Sequence, residues 1–370
     1  MKNYKYDYLI VGAGLYGAVF AYVATQSGKK CLVIDRRTHI GGNTYCENIA
    51  GINVHQYGPH IFHTKDAEVW NFVNRFARFN RFTNEPLAYY QGRLYNLPFN
   101  MNTFSQLWGT ITPAEAKRKI EEQRKNYLQI QPHNLEEQAL KFVGLDIFER
   151  LIKGYTEKQW GKPCSELPSF IIKRLPLRFT YNNNYFDDPY QGIPEGGYNP
   201  LIYKLLKDCE IQLNVDYQSE RAALSDIART TVYTGMLDEY FDYRFGQLEY
   251  RSLVFEHQLL DVENYQGNAV INYTEKNVPY TRIIEHKHFE FGTQPQTVIT
   301  REYPKVWTKH DEAYYPINDA VNNNLYLRYR QLASQTKDFI FGGRLAEYTY
   351  YNMDQVVHAA INKAKEHLSL

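Results

Sequence analysis

The sequence predicts an α/β fold built from several lobes, and three observations support this prediction. The chain has 370 residues, which is longer than a single hydrophobic core usually grows, so we expect lobes with a cleft between them. Its first 35 residues alternate between strand and helix patterns. Farther along, a helical pattern gives way to strand patterns that are separated by turn residues.

The N-terminal segment has the pattern of a βαβ unit. Residues 8–11 and 31–35 are short apolar runs typical of buried strands, and residues 18–27 have the spacing of a helix. The stretch VGAGLYG lies between the first strand and the helix and contains Gly12, Gly14 and Gly17. A GxGxxG motif in this context indicates a dinucleotide site.

Each glycine of this motif has a physical task. Gly12 permits the tight turn, Gly14 lets the backbone approach a pyrophosphate, and Gly17 allows close helix packing. The N-terminus of the helix supplies N–H donors for the phosphates. Asp35 ends the second strand, eighteen residues after Gly17, where its carboxylate can accept both ribose hydroxyls. The segment therefore predicts a Rossmann-like dinucleotide-binding domain.

Later motifs favour FAD over NAD as the dinucleotide. Three stretches, RRTHIGGN, TVYTG and FGGR, resemble the further FAD motifs of glutathione-reductase-like flavoproteins. They contribute the candidate cofactor residues Arg36, Gly42, Asn43, Gly235, Gly343 and Arg344. The chain has no second GxGxxG motif for a nicotinamide nucleotide, so we do not expect a permanent NAD(P)H domain.

The rest of the chain predicts two further lobes. Residues 99–161 carry apolar residues at helical spacing, with Pro113 near a helix start, and NLEEQALKFVGLDIFERLIKGYTEKQW continues the pattern. Residues 180–190 look irregular. Strand-like runs, among them TVYTG, LEYRSLVFEHQLL and YTRIIEHKHFEF, suggest an antiparallel sheet. The end of the chain, from FIFGGR onward, predicts a strand, a glycine turn and a long helix that returns to the first lobe.

The predicted fold class is therefore α/β, with a Rossmann-like FAD-binding domain, a helical insertion lobe and an antiparallel β-sheet lobe. The FAD-binding domain is expected to be discontinuous. The expected boundaries are 1–83 with 191–246 and 318–370 for the FAD-binding domain, 84–165 for the helical lobe, and 166–190 with 247–317 for the sheet and substrate lobe.

Charge and cysteine content argue against several classes of function. The 42 Lys and Arg residues nearly balance the 41 Asp and Glu residues, which argues against a surface for nucleic acid. The four cysteines show no CxxC spacing, so neither a zinc site nor a disulfide framework is indicated. No apolar run approaches the ~20 residues of a membrane span, and the N-terminus lacks a secretory signature. We expect a cytoplasmic protein without metal, nucleic acid or membrane partner.

Seven longer motifs resemble those of bacterial UDP-galactopyranose mutases over essentially the whole chain. They are YGPHIFHT, RFTN, GYTEKQWG, IIKRLPLRFTYNNNYF, YQGIPEGGY, YTRIIEHKHF and GGRLAEYTYYNMD. The resemblance implies interconversion of UDP-galactopyranose and UDP-galactofuranose with reduced FAD and no net redox change. It also implies that the product supplies galactofuranose for cell-surface polysaccharide and that the protein is a homodimer.

The implied reaction sets several requirements for the protein. Contracting the sugar ring while the sugar is linked to UDP requires the anomeric C1–O bond to break and the ring to open and close through another hydroxyl. N5 of a reduced flavin can attack C1 and displace UDP, which later returns. The protein must place C1 against N5, retain the pyrophosphate and exclude water.

The resemblance assigns two arginines to the pyrophosphate and to catalysis. Arg174 and Arg282 lie in motifs that resemble the family's diphosphate clamp, and a guanidinium fork suits phosphate oxygens. In the family the first of these lies on a mobile loop, here about residues 168–179. Two ordinary surface arginines are the alternative. Arg251 is a weaker candidate, since it can equally be the salt-bridge partner of a strand.

Aromatic residues are the candidates for the uridine pocket. The resemblance points to Tyr155, Trp160, Tyr185 and Phe186, with Asn84 as a polar contact. A ring stacked on a base contributes roughly 1–3 kcal/mol, which is enough to anchor the nucleotide while the sugar is detached. Tyr155 and Trp160 can alternatively be ordinary core residues of an amphipathic helix.

The remaining candidates lie in the last third of the chain. The resemblance places Tyr315, Tyr350 and Glu302 near the diphosphate, and Arg344, Met353 and Asp354 near the flavin. The charge of Arg344 can stabilise an anionic reduced flavin. Asn352 stands where many relatives carry Asp, so a contact at this position loses a charge.

The motif YGPHIFHT raises the question of what His60 and His63 do. A metal site would need a third ligand, and the motif supplies no nearby cysteine or acidic residue. Core histidines bonded to the backbone are one alternative. The resemblance places both against the flavin ring as catalytic residues, with His63 near N5 and O4, where an imidazole can move protons.

Two other functions compete with the mutase. An FAD oxidoreductase of the amine-oxidase kind shares the nucleotide fold but needs no diphosphate clamp. A flavin-binding sensor without catalysis is the third possibility. The sequence does not decide whether UDP-N-acetylgalactosamine is also a substrate.

Overall fold

Two large sheets organise the fold. The structure is a computed structural model that describes residues 4–174 and 177–369, and only the backbone of Lys173 and Arg174. Its strands are β1 Tyr6–Val11, β2 Cys31–Asp35, β3 Cys46–Ile49, β4 Ile52–His55, β5 Phe62–Thr64, β6 Leu87–Tyr90, β7 Arg93–Asn96, β8 Tyr190–Gly192, β9 Glu210–Leu213, β10 Ala228–Tyr233, β11 Tyr250–Leu260, β12 Val270–Tyr273, β13 Arg282–Glu285, β14 Thr297–Val306, β15 Tyr315–Pro316 and β16 Phe339–Phe341.

Helices cover the sheets and form most of the region between residues 100 and 175. The α-helices are α1 Leu15–Gln26, α2 Ala67–Asn74, α3 Met101–Trp108, α4 Pro113–Arg124, α5 Leu135–Val143, α6 Leu145–Ile147, α7 Gly154–Trp160, α8 Asn199–Leu206, α9 Tyr217–Leu224, α10 Leu237–Tyr240, α11 Ala320–Gln335 and α12 Met353–Leu368. A π-helix spans Phe148–Lys153, and short 3₁₀ helices span Gly42–Thr44, Cys164–Glu166, Ser169–Arg174 and His286–Glu290.

The first sheet is parallel and carries the predicted βαβ unit. Its strand order is β16-β10-β1-β2-β9, with Tyr8 of β1 beside Cys31 of β2 and Thr230 of β10. All five residues of β2 are buried, as expected for a parallel sheet with both faces covered. Helices α1 and α12 pack together against it, so the end of the chain returns to the first lobe as predicted.

The second sheet has seven strands in the order β15-β11-β14-β13-β12-β6-β7. Its neighbours are antiparallel except for β6 and β12, which pair in parallel with Leu87 beside Ile271. Strands β6 and β7 come from residues 87–96, which the sequence pattern assigned to the helical lobe. The fold class is confirmed, while the exact division of the chain into lobes stays a proposal.

Two strand predictions were wrong. The strand pattern grouped TVYTG with the antiparallel strands, since a short apolar run does not reveal the direction of its partners. Strand β10 lies in the parallel sheet, in agreement with the expected boundaries, which placed residues 191–246 in the FAD-binding domain. The run YTRIIEHKHFEF was predicted as one strand, but β13 ends at Glu285 and a 3₁₀ helix follows. There the buried His286 ring contacts Thr300, and Lys287 Nζ donates to two backbone carbonyls, so tertiary contacts override the strand pattern.

The helical lobe follows the predicted pattern with one interruption. Helix α4 begins at Pro113, whose Thr112 cap and Glu115 form a capping box. The long run from Leu135 was predicted to be continuous, but Gly144, with φ +84°, ends α5. The π-helix then changes the phase of the side chains ahead of α7, so that both segments contribute to one cavity.

One lysine ties the helical lobe to the second sheet. Lys158 Nζ, on α7, donates to the carbonyls of Tyr273, Val278 and Tyr280 at 2.7, 2.9 and 2.9 Å. Tyr273 is the last residue of β12, and the other two carbonyls belong to the connection between β12 and β13. The Lys158 ammonium group therefore donates hydrogen bonds to three backbone carbonyls at once.

We predict that Lys158→Met lowers the free energy of unfolding by about 2 kcal/mol, since it leaves partly buried carbonyls without a donor. Urea denaturation followed by circular dichroism measures the change. The control is Lys276→Met, on a side chain that is 81% exposed and pairs with Glu157, where we expect a change below about 0.5 kcal/mol. Equal effects of the two substitutions would contradict the prediction.

Candidate active site

Two adjoining cavities lie at the glycine turn. The larger has a volume of about 630 Å³ and is lined by residues of the glycine turn, the helical lobe and the second sheet. The smaller, of about 190 Å³, lies where β1, β2 and β10 end. Gly14 and Asn43 line both. A dinucleotide that binds at this turn would therefore extend from one cavity into the other.

Two glycines of the turn, Gly12 and Gly17, have no room for a side chain. Gly12 has a φ of +108°, and a Cβ there would lie 2.1 Å from Thr234 Oγ1. A Cβ at Gly17 would lie 2.1 Å from the Gly12 carbonyl oxygen. Helix α1 follows, its cap Gly14 makes no side-chain hydrogen bond, and its first turn contains no acidic residue. Its first N–H groups are thus available to an anion, as a dinucleotide phosphate requires.

The smaller cavity is organised by acidic and basic side chains. Asp35 Oδ2 accepts from Ala13 N at 2.8 Å, and Oδ1 accepts from Arg37 N at 2.9 Å, so the carboxylate holds the turn in place. Arg37 Nη2 contacts Glu312 Oε2 at 2.7 Å and Asn43 Oδ1 at 2.9 Å. The predicted Arg36 also pairs with Glu312 but is more exposed than Arg37. Neither Arg37 nor Glu312 was predicted from the motifs, although Arg37 is adjacent to the predicted Arg36 in the sequence.

A buried ion pair occupies the wall of the larger cavity. Arg282 on β13 lies directly opposite Glu302 on β14, and Arg282 Nε is 3.1 Å from Glu302 Oε1. Arg282 Nη2 donates to Tyr155 Oη at 2.9 Å, and Thr281 Oγ1 donates to Glu302 Oε1 at 3.1 Å. The Glu302 carboxylate raises the pKa of Arg282 against the opposing effect of burial. The guanidinium is therefore fixed and charged.

A second cation, Arg344, lines the same cavity beside two tyrosines. The rings of Tyr315 and Tyr350 stack at 5.3 Å, and the Arg344 guanidinium carbon lies 5.9 and 5.4 Å from their centroids. Arg344 Nη2 donates to the Tyr314 carbonyl at 2.6 Å, while its buried Nε has no partner among the described residues. A donor of this kind is suited to an anionic or carbonyl group of a ligand.

The helical lobe supplies aromatic rings and two polar groups that sequence analysis missed. Tyr155, Trp160 and Tyr185 line the cavity, and burial raises the pKa of Tyr185 to about 12. Gln159 Oε1 and Asn272 Oδ1 also belong to lining residues and are buried without a hydrogen-bond partner in the described part of the chain. Both oxygens can accept from a ligand. No motif marked either residue, since an isolated Asn or Gln carries no pattern.

The two histidines of YGPHIFHT both line the larger cavity. His60 Nδ1 lies 2.8 Å from the Gly58 carbonyl oxygen, and burial lowers the pKa of His60 to about 4, assisted by the charge of Arg344. His63 Nδ1 is hydrogen-bonded to Asp188 Oδ2, and its ring stacks on Phe186 with centroids 3.7 Å apart. One face of Phe186 is therefore covered by His63.

Most of the predicted site residues are brought together at these cavities. Those around the larger cavity are Gly14, Gly17, Asn43, His60, His63, Asn84, Tyr155, Trp160, Tyr185, Phe186, Arg282, Glu302, Tyr315, Gly343, Arg344, Tyr350 and Met353, together with Asn352. Those around the smaller cavity are Gly12, Gly14, Asp35, Arg36, Gly42, Asn43 and Gly235. Their individual roles stay predictions.

Three predicted positions are not part of this lining. Asp354 follows Met353 at the start of α12 but is not among the residues that line the two cavities. Arg251 Nε donates to the Gln159 carbonyl at 2.9 Å, and its buried side chain packs behind the cavity wall. The Arg174 side chain lies outside the described residues.

Within the described residues, no group of three His, Cys, Asp or Glu side chains could hold a metal ion. The described helices include none with the length and apolar content needed to cross a bilayer.

The buried ion pair gives a stability prediction. We predict that Arg282→Met lowers the free energy of unfolding by about 3 kcal/mol, because Glu302, which is 1% exposed, then stays buried without its countercharge. Chemical denaturation at pH 7 measures the loss. The control, Arg282→Met with Glu302→Gln, removes both charges and should recover most of it. A double variant no more stable than the single variant would contradict this account.

The buried histidines give a pH prediction. Burial lowers the pKa of His60 to about 4 and that of His55 to about 3, whereas histidine in an unfolded chain titrates near ~6.5. Below pH ~6.5 these histidines bind protons in the unfolded chain but not in the folded chain, so the free energy of unfolding falls as the pH drops from about 7 toward 4. We expect the double variant His55→Gln, His60→Gln to show a smaller decrease between pH 7 and pH 5 in urea denaturation. An unchanged decrease would show that other groups control it.

Comparison with known proteins gives the family. Residues 150–350 match the family model of UDP-galactopyranose mutase, and residues 10–76 match that of an NAD(P)-binding Rossmann-like domain. A dTDP-fucopyranose mutase of Escherichia coli is 39% identical over 366 residues, covering 96% of this chain and 97% of that protein. A probable UDP-galactopyranose mutase of Klebsiella pneumoniae is 40% identical over 365 residues, covering 98% and 94%.

Solved structures share the fold. A reduced UDP-galactopyranose mutase has a TM-score of 0.75 at 14% identity and covers 98% of this chain and 94% of its own. A putrescine oxidase bound to putrescine has a TM-score of 0.56 at 13% identity, with 99% of both chains covered. At these identities the likeness concerns the fold alone. The family model and the full-length relatives decide the matter: the chain belongs to the UDP-galactopyranose mutase family and is an isomerase.

Proposed function

We propose that this enzyme interconverts UDP-galactopyranose and UDP-galactofuranose with reduced FAD as its cofactor. One observation carries the proposal: a single cavity is lined by the dinucleotide turn at Gly14 and Gly17, by two guanidinium groups, Arg282 and Arg344, and by the aromatic side chains of the helical lobe. A flavin, a diphosphate and a nucleobase can therefore occupy one continuous space. This continuity is what a reaction between cofactor and sugar nucleotide needs.

The glycine turn and the smaller cavity fit FAD. The uncapped start of α1 suits the pyrophosphate. Gly14 and Gly42 approach each other closely, since an added Cβ at Gly42 would lie 3.0 Å from Gly14 Cα. The absence of side chains at these two positions leaves the backbone accessible to the pyrophosphate. Asp35 and Gly235 line the smaller cavity, where the adenosine would lie. The flavin ring would then lie in the larger cavity near His60 and Arg344.

The residues of the larger cavity fit a nucleoside diphosphate. Arg282 is held by Glu302 and Tyr155, so its remaining donors can bind the pyrophosphate without rearrangement. The stacked rings of Tyr315 and Tyr350 lie beside Arg344, and Tyr155, Trp160 and Tyr185 can offer flat surfaces to uracil. Arg174 is proposed as the second phosphate ligand.

These residues can retain the nucleotide while the sugar reacts. Reduced FAD, when bound, supplies the nucleophilic ring nitrogen that holds the anomeric carbon after the bond to UDP breaks. Arg282 stabilises the charge that develops on the departing pyrophosphate and keeps it in place for its return. The aromatic wall excludes water, which would otherwise hydrolyse the sugar. Arg344 would counterbalance negative charge on the reduced cofactor.

A dTDP-linked 6-deoxy sugar is the second candidate substrate. Two relatives that match over nearly their full length act, by their names, on different nucleotide sugars and are 39% and 40% identical to this chain. We place UDP-galactose first because the family model that matches residues 150–350 is that of UDP-galactopyranose mutase. A homodimer in the cytoplasm that supplies galactofuranose for polysaccharide completes the proposal.

The test compares the two substrates and the two redox states. The purified protein is incubated with UDP-galactofuranose or dTDP-fucofuranose, with and without dithionite, and products are separated by chromatography. We expect the dithionite-reduced enzyme to form UDP-galactopyranose, and the oxidised enzyme to form almost none. Arg282→Lys serves as a matched variant, and we expect it to lower turnover at least about tenfold, because lysine lacks the bidentate fork.

Other results would overturn the proposal in distinct ways. Conversion of the dTDP sugar alone would assign the second candidate. Oxygen consumption with an oxidised product would assign an oxidase, the function of some structural neighbours.

A further inference from the structure

The two histidines of the larger cavity have different partners, and their partners determine what each can do. His60 Nδ1 faces the Gly58 carbonyl at 2.8 Å, and a carbonyl oxygen only accepts, so Nδ1 carries the proton. The His60 backbone is held by His55 Nδ1 at 3.1 Å and by Tyr198 Oη at 3.0 Å. Burial and the charge of Arg344 lower the pKa of His60 to about 4. His60 is therefore a fixed neutral acceptor.

His63 is paired with a carboxylate instead. Its Nδ1 is hydrogen-bonded to Asp188 Oδ2, and both side chains are largely buried. Asp188 lies just before β8, which pairs with β5 so that Thr64 faces Tyr190. His63 lines the cavity, whereas Asp188 does not. Because the carboxylate is bonded to Nδ1, Nε2 is the ring nitrogen that can reach a ligand in the cavity.

The surroundings restrict the ring further. Phe186 stacks on it with an interplanar angle of 12°, which prevents the imidazole from turning. Lys65 Nζ lies 3.9 Å from Asp188 Oδ1, at the far side of the carboxylate. The contacts with Asp188 and Phe186 thus fix the orientation of the His63 ring.

We propose that Asp188 is a positioning residue that holds His63 with its proton on Nδ1 and makes His63, rather than His60, the group that carries a proton during ring contraction. The inference rests on the proposed function. It adds a residue, Asp188, that no motif in the sequence indicated.

The proton balance of the reaction fits this arrangement. In ring contraction the bond between C1 and the former ring oxygen breaks, the bond between C1 and the O4 oxygen forms, and no net proton is gained or lost. The His63 imidazolium gives its Nε2 proton to the former ring oxygen, and the neutral ring then recovers a proton from the O4 hydroxyl. After the donation the ring keeps Nδ1–H, the form that the Asp188 carboxylate stabilises.

The test uses three substitutions in the full-length enzyme with its cofactor. Asp188→Asn removes the carboxylate charge at nearly constant size. Asp188→Glu restores it with a longer side chain. Asp187→Asn is the matched control, because Asp187 is the neighbouring carboxylate, is 67% exposed and pairs with Arg178 at 2.6 Å.

Kinetics of the reduced enzyme give the first result. We expect Asp188→Asn to lower kcat by about 100-fold with KM changed less than about twofold, because the sugar nucleotide still binds but proton transfer is impaired. Asp188→Glu should recover part of kcat, and Asp187→Asn should change it less than about twofold. An unchanged kcat in Asp188→Asn, or a loss that appears only in KM, would overturn the proposal.

Nitrogen-15 NMR of histidine-labelled protein gives a second result that needs no turnover. The His63 signals are assigned from their absence in His63→Gln. We expect the neutral ring to carry its proton on Nδ1 in the unsubstituted protein and to lose this preference in Asp188→Asn but not in Asp187→Asn. The same proton position in all three would refute the role of Asp188. If the unsubstituted enzyme does not convert UDP-galactofuranose, the proposed function is wrong. The NMR measurement does not depend on turnover and still tests whether Asp188 fixes the proton on His63 Nδ1.

Discussion

The site depends on keeping one charged guanidinium in the wall of the larger cavity. A buried cation is costly unless a carboxylate and hydrogen bonds compensate it. The register of β13 and β14 provides this compensation by placing Arg282 opposite Glu302, and Tyr155 adds a hydrogen-bond acceptor from the helical lobe. The ion pair therefore links the sheet to the helices at the point where a diphosphate would bind.

Three structural units surround the cavity, and each contributes different groups to it. The parallel sheet presents the glycine turn and the uncapped start of α1, which are suited to a dinucleotide. The second sheet supplies the ion pair, and the helical lobe supplies aromatic rings through α7 and the π-helix before it. Lys158 joins the helical lobe to the second sheet through backbone carbonyls, so the aromatic wall keeps its position relative to Arg282.

Within this frame the two histidines of one short motif have opposite properties. Burial and the charge of Arg344 lower the pKa of His60, whereas His63 is hydrogen-bonded through Nδ1 to the carboxylate of Asp188. The difference arises because His60 precedes β5 and faces the Gly58 carbonyl, whereas His63 lies within β5, whose pairing with β8 brings Asp188 close to it. Two residues of the same type and the same motif therefore differ in their hydrogen-bond partners and in their surroundings.

The sequence by itself determined the nucleotide-binding unit and the family. The glycine spacing and the two short strands act over about 30 neighbouring residues, so the βαβ unit was correctly predicted, and the long motifs indicated the family and most of the lining residues. Only the tertiary structure decided which groups face one another. It joined β6 and β7 to the second sheet, assigned β10 to the parallel sheet, paired Arg37 with Glu312, and brought Asp188 to His63 across 125 positions of the chain. Such pairings depend on strand order and register, which arise from packing of distant segments and leave no local pattern in the sequence.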